Sequence, residues 1–149
     1  MQNIELQSNN DFSNKLDAFI CNSCDLIHIS NYYATIEVPV MRAVEFAFNS
    51  DPSISVNISY SFCNEGVSFN VESNKSIFNS SNNSEFPQSG SLQEVFLLSS
   101  LLSDNFEVSS DGKILVMTFS VRGIDSHEAA NRVKILEQYS ILSPTHQYQ

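Results

Sequence analysis

The stretch Ile54 to Phe62, ISVNISYSF, alternates apolar and polar residues without a break, so Ile54, Val56, Ile58, Tyr60 and Phe62 share one face of an extended strand. Val67, Phe69 and Val71 alternate in the same way just beyond it, and the short Cys63-Asn64-Glu65-Gly66 connection predicts a hairpin. A hairpin with one apolar face needs a second layer to cover it. That requirement rules out an all-helical fold and gives a purpose to the helical stripes on either side.

Upstream, Asn3 to Ser8 (NIELQS) reads as a short strand ended by Asn9, Asn10 and Asp11. Phe12, Leu16, Phe19, Ile20, Cys24 and Ile27 then recur at three and four, the spacing of a helix of roughly four turns with Asn10 or Asp11 as cap. Ile36, Val40, Ala43, Val44, Ala47 and Phe48 carry a second helix. Pro39 is expected in its first turn or at a kink, because a proline deeper in a helix costs about 3 kcal/mol. The breaker cluster Asn49 to Ser53 ends it.

Downstream, Ser73 to Gly90 reads as one long mobile loop, either a lid or binding segment or plain disorder. Ser91 to Ser103 predicts a third, Leu-rich helix capped by Ser91. Phe106 and Val108, then Ile114, Val116, Thr118 and Ser120, flank the turn signal Ser110-Asp111-Gly112 and predict a second hairpin. Asp125 with Glu128 resembles a capping box before a last helix carried by Ala129, Val133, Ile135 and Leu136 and reaching Tyr139, with a polar tail over 140–149. These elements predict a single domain over 1–149 of α+β class, a two-layer sandwich with helices covering one face of a mostly antiparallel mixed sheet.

Charge narrows the partners. The 149 residues hold 17 Asp and Glu against 7 Lys and Arg, a formal charge of −10 that repels nucleic-acid phosphates and anionic membrane. The N-terminal MQNIELQSNND has neither a basic region nor an apolar core of a signal peptide, and apolar runs such as Val95 to Leu98 are far too short to span a bilayer of about 30 Å. A soluble cytoplasmic protein is expected, with the three cysteines Cys21, Cys24 and Cys63 reduced.

Few residues suggest chemistry directly. Cys21, Cys24 and His28 form a C-x2-C-x3-H run that with Cys63 offers four zinc ligands, but their helical spacing favours small buried core residues. His28, His127 and His146 stand in no triad pattern, and G-x-S-x-G, the Walker loop and G-x-G-x-x-G are all missing from a chain with four glycines. Glu45 and Asn49 lie one helical turn apart, an arrangement suited to a base beside a magnesium ligand and equally to a solvated helix end.

The element order, the helix Val40 to Phe48 leading into a hairpin, and the run from Val95 through Ser110-Asp111-Gly112 to Phe119 resemble the histidine-kinase-like ATPase (Bergerat) fold over about residues 3 to 120. The likeness is strongest to its small anti-sigma-factor serine kinases. The resemblance implies a Glu and, four residues on, a magnesium-binding Asn before the hairpin. One register matches them to Glu45 and Asn49; the other, which fits the apolar spacing better, places Arg42 and Phe46 there. After the hairpin the family pattern Asp-x-Gly-x-Gly-Phe falls on Ser73, Lys75, Ile77 and Phe78, so only the Phe is kept and side chains stand where the glycines would let the backbone approach a nucleotide.

The resemblance therefore implies a retained scaffold without catalysis or cofactor: a regulatory module that binds a protein partner of the sigma or anti-anti-sigma kind, with a homodimer among its arrangements. The alternative is a divergent active serine/threonine kinase using Mg-ATP, with Glu45 as base and Asn49, Ser73 and Phe78 at the nucleotide. A further alternative is an α+β structural or interaction protein of unrelated fold.

Overall fold

A computed structural model describes residues 2–26, 33–62, 66–79 and 90–120. Strand β1 (Gln2–Leu6) is followed by helices α1 (Phe12–Leu26) and α2 (Tyr33–Ser50), strands β2 (Val56–Phe62) and β3 (Gly66–Ser73), helix α3 (Leu92–Leu102) and strands β4 (Asn105–Val108) and β5 (Ile114–Ser120). The strands form one sheet in the order β1-β2-β3-β5-β4, and all four pairings are antiparallel. The predicted last helix over 125–139, the tail, His28 and Cys63 lie outside the described residues.

Alternation decides which way each strand faces. Leu6, Val56, Ile58, Tyr60, Val67, Phe69, Val71, Leu115, Met117 and Phe119 are buried on the helix side. Asn57, Ser59, Ser68, Asn70 and Thr118 turn to the other face, where the Ser68 and Thr118 hydroxyls lie 2.9 Å apart in a hydrogen bond. In β5 the buried set is Leu115, Met117 and Phe119 rather than Ile114 and Val116. The run ILVMTFS offers two apolar parities, and pairing with β3 selects one by setting Val67 against Phe119, Phe69 against Met117 and Val71 against Leu115. Phe62 departs from its predicted burial: it is 45% exposed at the last position of β2, where its ring meets Tyr60 at 5.3 Å.

The helices lie across this apolar face, α1 against β1, α2 against β3, and α3 against β4. Phe19 of α1 meets Tyr60 at 5.1 Å, and Phe12 meets Phe48 of α2 edge-on at 5.0 Å. Helix α2 is the centre of the molecule, with Thr35 to Met41 all buried. It begins at Tyr33, so of the two places expected for Pro39 the first turn is excluded and Pro39 stands inside the helix. Burial on nearly every side supplies what the missing backbone donor removes. Its end follows the sequence: Asp51 Oδ1 accepts from Ser53 N at 2.9 Å in a tight turn, and Ile54 N returns to Asp51 O at 3.0 Å.

Helix α3 begins as predicted, with the Ser91 hydroxyl accepting from Glu94 N at 3.1 Å. At α1 Asp11 stands at the cap position, its carbonyl accepting from Lys15 N at 3.0 Å, and Asn9 Oδ1 steadies the turn before it by accepting from Asp11 N at 2.9 Å. No described helix is long and apolar enough to cross a membrane.

Candidate functional site

The segment after β3 and the second half of α2 face each other across the region where a nucleotide site is expected. Residues 74–79, predicted as the start of a mobile loop, are instead pinned to the turn between β4 and β5. The Gly112 carbonyl accepts from Ile77 N at 3.1 Å and Phe78 N at 2.9 Å, and Ser76 Oγ donates to Asp111 O at 2.5 Å. Two large apolar side chains explain the difference, since Phe78 is fully buried and Ile77 packs on the core. Residues 80–89 of the same predicted loop lie outside the described residues.

The turn that receives them is built from polar side chains. Asp111 Oδ1 accepts from the Ser109 hydroxyl at 2.6 Å and from Lys113 N at 3.1 Å, which holds its carboxyl below the ordinary range. Gly112 adopts φ +72°, a conformation that L side chains resist, and it is buried beneath Asn79 and Ser76.

The residues singled out from sequence occupy definite places in this arrangement. Ser73, at the end of β3, is buried; its N–H donates to Lys113 O at 2.8 Å and its hydroxyl accepts from Lys75 N at 3.0 Å. The Lys75 ammonium turns away to the Asp51 carboxylate. Phe78 meets α2 at Phe46, with ring centroids 6.2 Å apart. Glu45 is half-buried beside Arg42, with Nε to Oε1 at 3.9 Å, and Asn49 lies one turn on, exposed near the end of α2.

Sequence reasoning missed the tie that crosses from α2 to α3. Arg42 Nη1 donates to Glu94 Oε1 at 3.3 Å, and the same oxygen accepts from Gly90 N at 3.1 Å. The side chains of Arg42 and Glu94 are only 12% and 14% exposed, so the pair is held mostly out of water and each charge depends on the other. The signal was present in Ser91-x-x-Glu94, which reads as helix capping; in the fold Glu94 caps and binds Arg42 at once.

Two cavities open elsewhere. One of about 160 Å³ on the outer sheet face is lined by Glu5, Ser55, Asn57, Glu72, Ser73 and Asn74. The other, a groove of about 450 Å³, runs between α1 and the start of α2, lined by Asp17, Ala18, Cys21, Cys24, Asp25 and Tyr33. Cys24 is buried, as expected, and burial pushes its thiol up to about 11. Cys21 is exposed, a correction to its predicted burial: it follows Ile20 on the helix and so flanks the stripe of Leu16, Ile20 and Cys24. Burial first, and then a 2.8 Å hydrogen bond donated to Asp17, raise the Tyr33 hydroxyl. Among the described residues no three His, Cys, Asp or Glu side chains gather where a metal ion would be held.

The Asp51 carboxyl is held well below its usual range, first by Lys75 and then by Ser53. Asp51 and Asp111 are both lowered, so the stability they contribute is present above about pH 4 and is lost as pH falls through the folded values. Thermal unfolding of Asp51→Asn and the parent chain, followed from pH 6 to pH 2.5, is expected to show a gap that narrows on acidification. A gap that widens would assign the wrong sign to this contact.

Comparison with known proteins finds no protein-family model that matches this chain, and no curated protein that matches it.

Proposed function

We propose that this chain is a non-catalytic, protein-binding regulatory module on a histidine-kinase-like ATPase scaffold, similar to an anti-sigma or partner-switching factor and working in the cytoplasm. The observation that carries the reading is the packing of Phe46 on Phe78 at 6.2 Å. In the register that fits the apolar spacing, Phe46 stands at the magnesium-binding position and Arg42 at the position of the base. An aromatic ring offers no lone pair to a metal ion. A guanidinium paired with Glu94 offers only N–H donors and no lone pair to take a proton from a nucleophile.

Filling a catalytic cleft with packed side chains removes the enzyme and leaves a shaped surface. Such a surface works by binding a protein, here one of the sigma or anti-anti-sigma kind, and a homodimer is compatible with it. The formal charge of −10 favours a partner with a basic face.

The test is thermal unfolding with and without millimolar Mg-ATP. No change in Tm is expected, because a ligand at a hundred times its Kd would add about 2.7 kcal/mol. A clear rise would overturn the proposal and favour the active-kinase alternative. In that alternative Asn49→Ala abolishes the rise; a rise that survives the substitution would locate the nucleotide elsewhere.

A further inference from the structure

The two edges of the sheet, β1 and β4, end differently. Antiparallel pairing sends the backbone groups of alternate residues to opposite sides of a strand. Asn74 N donates to Ser55 O at 3.3 Å, so the odd-numbered residues of β2 bond to β3 and the even-numbered ones to β1. Glu5, opposite Asn57, therefore turns its carbonyl to the free side of β1, and there Lys15 Nζ donates to it at 3.0 Å. A lysine laid on an edge in this way guards it against the addition of another strand.

β4 has no such guard. Ser109 N donates to Ile114 O at 2.9 Å, which assigns the backbone groups of Glu107 and Asn105 to β5, opposite Val116 and Thr118. The N–H and C=O groups of Phe106 and Val108 point outward, and among the described residues no strand pairs with them. Asp104 to Asp111 holds three carboxylates and no basic residue. The side chains along this edge are sorted by face. On the helix side Phe106 and Val108 are half-buried, and Phe106 stacks on Phe96 of α3 with ring centroids 5.8 Å apart. On the other side Asn105 and Glu107 are exposed.

A second copy of the chain is a poor occupant. The antiparallel register that bonds Phe106 of one copy to Val108 of the other sets Glu107 directly against Glu107, and two chains of formal charge −10 repel. An occupant with the opposite charge meets neither penalty.

We propose that the free edge of β4 takes an extended, basic segment of a protein partner as a sixth strand. The backbone of the added strand bonds to Phe106 and Val108. Its apolar residues lie on the helix side beside Phe106 and Phe96, and a lysine or arginine on its other side stands beside Glu107. The inference rests on the reading of a protein-binding module and names its binding surface. A rise in Tm with Mg-ATP would count against that reading and leave strand addition at β4 standing.

The experiment titrates the full chain with a peptide of alternating valine and lysine at about 0.15 M salt, where long-range attraction is largely screened. Amide exchange is followed residue by residue. Phe106 and Val108 are expected to exchange fast in the free chain and to slow at least tenfold with the peptide. A peptide of the same composition with the alternation broken should leave them unchanged. Val108→Pro removes one outward N–H and no bond to β5, so the parent Tm should be kept and the peptide affinity should fall about tenfold. Glu107→Lys should reverse the preference towards a peptide of alternating valine and glutamate. Protection of both amides in the free chain would show an edge already covered and overturn the proposal. So would protection appearing at β1 instead, equal binding of the two lysine peptides, or affinity untouched by both substitutions. A dimer in sedimentation that Val108→Pro dissolves would overturn it in favour of a second copy.

Discussion

Phe78→Ala is expected to destabilise the protein by about 3–5 kcal/mol, the range for removing a buried phenylalanine. Phe78 is among the largest fully buried side chains, although it stands in a segment rich in Ser and Asn. Its loss leaves Phe46 without the ring it packs on and opens a cavity beside α2. Two backbone N–H groups that hold this segment to Gly112 depend on the same anchor. At roughly 2–4 °C per kcal/mol for a chain of this size, Tm should fall by about 6–20 °C. Chemical denaturation gives the free energy directly. A loss below about 1 kcal/mol would mean that residues 74–79 are not part of the core.

Gly112→Ala should be the second large effect, at about 2–4 kcal/mol. The left-handed backbone costs an alanine about 1–2 kcal/mol, and an added methyl group in a packed site costs a further amount of the same order. A Cβ here would stand 2.7 Å from Asn79 Oδ1 and Ser76 Oγ, well inside contact distance. Gly90 provides the control. Its φ is +80°, but an added Cβ would meet nothing within 4 Å, so Gly90→Ala should show the backbone cost alone. Equal losses for the two variants would refute the close approach of the 74–79 segment to the turn.

The alternation in 54–62 and 67–71, the stripes of α1 and α2 and the Ser-Asp-Gly turn were enough to write the element order, because each is a local pattern with one physical reading. Local pattern was insufficient where two readings were equal in sequence and different in space. The run ILVMTFS needed its pairing with β3 to choose a face, and Phe62 shows that sharing a face with buried neighbours does not bury a residue at a strand end. A first-turn place for Pro39, one of its two expected settings, fails because the stripe begins at Ile36 while the helix begins at Tyr33. At the candidate site, Ser73, Phe78, Glu45 and Asn49 were legible as positions. The contacts that give the region its character, Arg42 to Glu94 and Phe46 to Phe78, join residues far apart in the chain, and nothing in either local segment announces the other.

The face of the sheet turned away from the helices sets a limit on how this protein packs with others. Asn57, Ser59, Ser68, Asn70 and Thr118 give it mostly hydroxyls and amides, with Ile114 and Val116 of β5 as its alkyl residues. Pressing a third layer onto it would strip water from groups for which the new layer offers no ready partners, at a cost of the order of 1–3 kcal/mol for each one left unbonded. Sheets with an apolar outer face stack into fibres or recruit a further layer of helices. In this protein the serines and asparagines that dominate the composition keep that face wet.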